Sequence, residues 1–293
     1  MVALSKPPNA IEAQRASYPL RMQRSVGHCQ VTTKSHQGRT ALDDLRQEGA
    51  SKVMFPRRDN SDWFEAVLVN TSGGLAGGDR FEVAFSGGAD TKTVLTNQAC
   101  EKNYRALGEA ASLKIRLQLL PGAELFWCPQ ETILFNGSRI ERSIRVDMDT
   151  NSSLVMLETV LFGRAASDEI FKQGSLSDQW RIHMDGRLVH AEALQVDINS
   201  AQRLQQAARL GRHTAMSTII VINPPAGFEA RPIQRLSSQL EHGALAASSW
   251  SVGDAKKIVV RALARNGYAM RQLLDTVFKT LPFPRPLPRV WRV

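Results

Sequence analysis

"RFEVAFSGGADTKTVLTN", Arg80 to Asn97, reads as a strand, a glycine turn and a second strand. Phe81, Val83 and Phe85 alternate with polar or small residues, the period-two pattern of a strand with one buried face. Three later stretches repeat the plan. "LKIRLQLLPGAELFWC" (113–128) turns at Pro121-Gly122, "RSIRVDMDTNSSLVMLE" (142–158) at Asp149-Thr150-Asn151, and "QWRIHMDGRLVHAEAL" (179–194) at Asp185-Gly186. Their first strands alternate as Ile115/Leu117/Leu119, Ile144/Val146/Met148 and Trp180/Ile182/Met184. Turn centres near 88, 122, 151 and 186 recur every 30–35 residues. Such a recurrence predicts stacked supersecondary units, each covering its neighbour's apolar face. The expected fold is mainly β, a solenoid-like body of stacked β-hairpins. An antiparallel sandwich with regular hairpins would give a similar texture.

On the N-terminal side, "CQVTTKS" (29–35), "SKVMF" (51–55) and "WFEAVLVN" (63–70) read as strands, and residues 1–24 as a polar, basic arm. Past Val196 the texture changes. Helices are predicted over "SAQRLQQAARLG" (200–211), "RPIQRLSSQLEHG" (231–243) and "GYAMRQLLDTVFKTL" (267–281). Strands are predicted at "STIIVIN" (217–223) and "KKIVVRALA" (256–264). The prolines of "PFPRPLPRVWRV" predict an extended tail that ends at Trp291. The division expected is an arm over 1–24, a β-rich body over 25–197 and an α+β part with a basic, Pro-rich tail over 198–293, together one continuous domain.

The connection "NTSGGLAGGDRF" (70–81) carries two glycine pairs, Gly73-Gly74 and Gly77-Gly78. It is no P-loop, because Asp79 stands where the phosphate-binding lysine would be. It is no dinucleotide loop, because a strand rather than a helix follows. It reads as a tight strand connection in which glycine leaves room beside the backbone.

Composition narrows the class further. A 43% hydrophobic share fits a globular chain, and no run of about 18 apolar residues exists to span a bilayer. The N-terminal stretch has no apolar h-region. Cys29, Cys100 and Cys128 are scattered with no C-x-x-C, which argues against a disulfide framework or zinc finger and for a reduced, cytoplasmic setting. The net charge of +9 is uneven. Residues 256–293 hold nine Lys or Arg and one acid, while residues 61–200 hold 13 Lys or Arg and 19 acids. No RNA-binding or helix-turn-helix signature accompanies the basic end, so neither nucleic acid nor membrane is an expected partner.

No H-E-x-x-H, His/Cys cluster or G-x-S-x-G elbow supports a catalytic centre. His183 and His190 flank a predicted hairpin turn and read as paired solvent-facing residues. Four carboxylates stand out by context. Asp79 follows the glycine loop, where turn capping is one reading. Glu131 in "WCPQETILF", Glu158 in "LVMLETVLFGR" and Glu192 in "LVHAEALQV" are flanked by apolar residues and should be buried. A buried carboxylate needs a partner, a cation or a proton. Lys102, Tyr104 and Arg105 in "NQACEKNYR" are candidate partners in a satisfied network. The alternative is a polar channel lined by acids, through which a divalent cation passes without being gripped.

"NTSGGLAGGDRF", "NQACEKNYR", "LFWCPQETILF", "LETVLFGR" with Glu169 shortly after, and "LPRVWRV" occur in that order. Together they resemble the urease accessory protein UreD family, called UreH in some bacteria, over roughly residues 28 to 293. The chain departs from that pattern at Asn97-Gln98-Ala99, where Thr-Gln-Ala is common. The resemblance implies a non-enzymatic maturation factor with a stacked β fold. It implies binding to UreF and, through it, to the GTPase UreG, in a complex that docks on apo-urease and can form a homodimer. It further implies assistance to nickel insertion by an internal passage, with no tightly bound cofactor and only transient nickel(II). Asp79, Glu158 and Glu192 match the positions of the family's passage acids, and Lys102, Tyr104 and Arg105 its Lys-x-Tyr-Arg stretch. Charge and expected exposure make Arg271, Phe278 and Trp291 the side chains through which the last helix and tail would meet a partner. The competing expectations are a β-solenoid enzyme using paired acids on a polymeric substrate and a basic adaptor for an acidic partner.

Overall fold

The computed structural model describes residues 23–56, 62–164, 167, 169–197, 201–207, 209–239, 243–281 and 288–291. All but the last two residues of the predicted arm, the proline-rich stretch 282–287, Leu240 and Asp168 lie outside the described residues. The chain runs β1 (Val26–His36), β2 (Arg39–Gly49), β3 (Ser51–Met54), β4 (Phe64–Asn70), β5 (Arg80–Gly87), β6 (Lys92–Asn97), β7 (Glu101–Asn103), β8 (Ala111–Leu119) and β9 (Glu124–Trp127). It continues with β10 (Thr132–Leu134), β11 (Arg139–Met148), β12 (Ser153–Arg164), β13 (Glu169–Ile170), β14 (Ser175–Met184), β15 (Arg187–Val196), α1 (Ala201–Leu204) and β16 (Ala215–Ile222). The last elements are α2 (Arg231–Leu236), β17 (Gly243–Val252), β18 (Ala255–Ala264) and α3 (Gly267–Thr280).

Two sheets face each other. The first has seven strands in the order β15-β14-β11-β8-β5-β1-β2. The second has eleven, with β17-β18-β16-β12-β9-β6-β4-β3 as its main path. The repeat predicted from sequence is present, and the body is a mainly β solenoid. Its units are built differently from the hairpins expected, however. β5, β8, β11 and β14 lie side by side in parallel, with Phe85, Leu117, Val146 and Ile182 in one row. Their followers β6, β9 and β12 are parallel neighbours in the other sheet. The turns at 88–91, 120–123 and 149–152 are therefore arches that carry the chain from one sheet to the other. Of the four predicted units only β14–β15 is a hairpin, closed by Asp185 (φ 47°) and Gly186 (φ 77°), the left-handed pair that a two-residue turn needs. Period-two alternation is the same in an arch and in a hairpin. The four-residue connections, long enough to reach a sheet about 10 Å away, separate the two.

Antiparallel strands bracket the parallel stack: β1–β2 and β14–β15 in one sheet, β3–β4 and β16–β18–β17 in the other. β2 and β17 escape the sequence reading. β2 is an edge strand whose Asp43, Asp44, Arg46 and Glu48 blur the alternation, a usual protection for an open edge. β17 is built largely of Ala and Ser.

Between the sheets, Ile115, Leu117, Ile144, Val146 and Trp180 meet Leu95, Leu125, Trp127, Met156 and Ile220. The outer face of the second sheet, with Phe126, Val155, Leu157, Ile219 and Val260, is covered by Met270, Leu273, Leu274, Val277 and Phe278 of α3. That helix matches its predicted stripe and starts where the Asn266 side chain accepts a hydrogen bond from Ala269 N at 2.9 Å. The helix expected over 200–211 shrinks to four residues. Leu204 and Leu210 both join the core near Leu134 and Phe162. Six positions apart, they would face different sides of a continuous helix, so the chain turns to bury both. The second predicted helix is also short, with six α-helical residues and a 3₁₀ turn to Gln239.

Candidate functional site

In the parallel ladder of the first sheet, Phe81, Leu113, Arg142 and Asp178 occupy one row. The first two are apolar and the last two are charged, yet Arg142 and Asp178 are only 4% and 2% exposed. Glu158 meets them from β12, on the inward face it shares with Leu154 and Met156, and is 4% exposed. Arg142 donates from Nε to Asp178 Oδ1 at 2.9 Å and from a terminal nitrogen to Asp178 Oδ2. Its other terminal nitrogen donates to Glu158 Oε2 and, at 3.3 Å, to Thr132 Oγ1. Each acid has a second anchor. Trp127 Nε1 donates to Glu158 Oε1 and Trp180 Nε1 to Asp178 Oδ1, both at 2.8 Å.

One guanidinium thus serves two buried carboxylates. Burial raises the Glu158 carboxyl above its usual range and the neighbouring Asp178 adds to the rise, against the pull of Arg142 and the Trp127 indole. Burial works against the Arg142 charge, and the two acids outweigh it, so the guanidinium is held charged even more firmly than usual.

Two cavities meet at this triad. The larger, about 220 Å³, reaches inward from the loops at Asn70–Leu75 and Asn97–Lys102 to Trp127, Arg142 and Glu158. It has room for several waters. The smaller, about 20 Å³, lies on the other side of the pair, between Arg142, Glu158, Asp178, Glu192 and Arg261. It is the size of a single water. Arg142 and Glu158 line both.

Of the acids singled out from sequence, Glu158 is at the junction and Glu192 lines the smaller cavity. Arg261 donates to Glu192, and His190 Nε2 stands 3.6 Å from it. Partial burial pushes the Glu192 carboxyl up, but its contacts with His190 and Arg261 prevail and hold it down at about 2. His190 is buried and pairs with Ile182, while His183 pairs with Leu188 across a bulge, so the two histidines are not the solvent-facing pair expected.

Asp79 and Glu131 are elsewhere. Asp79 accepts from Ala76 N at 2.7 Å and from Ser25 N at 2.8 Å, so one carboxylate oxygen caps the glycine loop, the other ties it to the start of β1, and Asp79 is not in the cavity lining. Glu131 accepts from Arg271 at 3.0 Å and from the Cys100 thiol at 3.1 Å. It ties α3 to the loop after β9 rather than lining the cavity.

The glycine loop does form part of the cavity mouth, through Gly73 and Gly74. A Cβ on Gly74 would stand 2.5 Å from the Tyr104 ring and 2.6 Å from Lys102 O, and one on Gly77 would stand 2.5 Å from Glu109 O. The glycines allow close approach. Gly74 and Gly78 also hold positive φ angles, 147° and 88°. Lys102 lines the cavity. Tyr104 donates from its hydroxyl to Gly73 O at 3.0 Å, and Arg105 bridges to Ser138 through its backbone.

The three side chains expected to meet a partner point inward. Phe278 is 7% exposed and packs on Phe126 with ring centres 5.2 Å apart. Trp291 is 2% exposed, donates to Cys128 O at 3.0 Å and lies under the Arg271 guanidinium. Rather than trailing as a tail, residues 288–291 return to the body, because sheet and helix together offer an apolar seat for the indole.

Two residues that matter most here, Arg142 and Asp178, are absent from the expectations, as is Glu101 in the cavity wall. Among the described residues no group of three or more His, Cys, Asp or Glu is placed to hold a metal ion, and no helix is long and apolar enough to cross a membrane.

The family model described as UreD urease accessory protein matches residues 25–292. The chain is 38% identical over 278 residues to the urease accessory protein UreD of Agrobacterium fabrum, covering 95% of each chain. It is 39% identical over 273 residues to the UreD of Rhizobium etli, covering 93% of this chain and 97% of the relative. To the urease accessory protein UreD 1 of Brucella melitensis it is 36% identical over 276 residues, 94% and 96% of the two chains.

Proposed function

Because the chain belongs to the UreD family of urease accessory proteins, we propose that it is a non-enzymatic maturation factor that binds UreF, and through it UreG, on apo-urease, and that nickel(II) crosses its interior on the way to the urease active site. The observation that carries the passage is the pair of cavities meeting at Arg142 and Glu158. Oxygen donors dominate the route: Glu101 and Asn70 toward the mouth, Glu158 and Asp178 at the junction, Glu192 beyond it. Such donors bind a borderline divalent ion weakly enough to release it. Glu158 and Asp178 are already paired with Arg142 and Glu192 with Arg261, so the route transmits an ion rather than storing it. Asp79 caps a loop and has no part in the route.

The test is reconstitution of urease activation with UreF and UreG partners. Glu158→Gln keeps the shape of the side chain and its bond from Trp127. Expected is an intact complex by size-exclusion chromatography and a several-fold drop in nickel bound to urease. Full nickel loading with this variant would end the passage reading and leave the scaffold role standing. Failure of the wild-type chain to form a complex under any condition would end both.

A further inference from the structure

We infer that Arg142 is the gate of this interior route: its guanidinium occupies the junction of the two cavities and has to leave Glu158 and Asp178 before a divalent cation can cross. The inference rests on the passage reading above and adds a closed state to it. Three observations carry it.

The first is position. Arg142 and Glu158 are the residues common to the linings of both cavities. The guanidinium bridges from Asp178 on one sheet to Glu158 on the other, and so spans the interior at that level.

The second is charge. Arginine does not shed its proton in a protein, so a cation arriving from either side meets a fixed positive group as well as a steric block. Protonation chemistry cannot lift that barrier, and only movement of the side chain can.

The third is what stays behind. Trp127 and Trp180 hold the two carboxylates independently of the arginine. When the guanidinium withdraws, two fixed acids face the space it vacates, and a divalent ion matches their combined charge. Room for the withdrawn side chain exists on one side only. The larger cavity has about 220 Å³ and the smaller about 20 Å³, so the gate opens toward the Asn70–Glu101 mouth. Guanidinium and cation then exchange places over the same pair of acids, and no preformed site is needed.

The test uses the full chain and nickel(II) sulfate. Arg142→Met removes the guanidinium and leaves both acids. Isothermal titration is expected to show at least ten-fold tighter nickel binding than in the wild type, abolished in the Arg142→Met/Glu158→Gln double variant. A titration indistinguishable from wild type would overturn the gate. Should Arg142→Met fail to fold, Arg142→Lys serves. Lysine keeps the charge but, as a point donor, cannot fork across two carboxylates. Its expected effect is activation of urease at a several-fold lower nickel concentration. A wild-type nickel dependence in Arg142→Lys beside a defective Glu158→Gln removes the gate and leaves the passage. Normal delivery by Glu158→Gln removes both.

Discussion

Glu101 stands in the wall of the larger cavity, with Asn70 Nδ2 donating to it at 3.0 Å. Burial pushes its carboxyl up to about 7, against the pull of that hydrogen bond. The folded value lies above the ordinary carboxylate value, so folding favours the protonated form. The stability this contributes is complete below the unfolded value and is lost as pH rises through about 7. Glu101→Gln should therefore unfold at a higher temperature than wild type at pH 8, by the equivalent of about 3 kcal/mol, with a smaller gap at pH 5. An equal gap at both pH values would show that the carboxyl is not displaced. Arg142 and Asp178 were legible at the same scale. Extending the row Ile144/Val146/Met148 back two places reaches Arg142, and extending Trp180/Ile182/Met184 reaches Asp178. Both charges share the parity of the buried face, and the parallel register makes them neighbours. Glu158 was visible by itself because apolar residues flank it on both sides. The capping role of Asp79 was one of two readings, and only the positions of Ser25 N and Ala76 N choose between them.

At the scale of elements, the stripe of α3 was plain in the sequence and its destination was not. An amphipathic helix can face its own sheet or a partner, and its residues are the same in both cases. Here the apolar outer face of the second sheet takes the stripe, and residues 288–291 close over its end. The fastening is specific. Gln130 Nε2 donates to Val290 O at 3.1 Å, Arg271 reaches Gln130 and Glu131, and the Trp291 indole is bonded to Cys128 O. Trp291→Ala is expected to cost about 3 kcal/mol in urea unfolding, in the range for a large buried aromatic side chain. A change under about 0.5 kcal/mol, the usual size for surface sites, would return Trp291 to the exposed role first expected of it. The other side of α3 is open to solvent, with Tyr268, Gln272, Thr276 and Lys279 exposed.

For the molecule as a whole, the recurrence of turns revealed the stack, while the pairing partner of each strand lay beyond the reach of local pattern. Each coil bonds to residues some thirty positions away, such as Ile115 with Ile144, and no short-range signal distinguishes that from a hairpin. The stack owes its stability to rows of apolar side chains, and the buried triad interrupts them. A buried ion pair is seldom worth more than well-packed neutral groups. The triple variant Arg142→Met/Glu158→Met/Asp178→Leu is therefore expected to fold and to match or exceed wild-type stability by about 1–4 kcal/mol, while failing to support urease activation. A large loss of stability in chemical denaturation would mean that the ions hold the coils together and are not kept for transit.

The three arches at 88–91, 120–123 and 149–152 are of equal length, and that equality limits how the chain can change. One residue added to a single arch would shift the following strand by one place against neighbours that had not moved, turning its buried side chains outward. In β6 that would eject Leu95, and in β12 it would eject Met156 and Glu158. Length variation among functional versions of this molecule should collect in the lateral connections and the termini, with the arches conserved in size even where their residues differ.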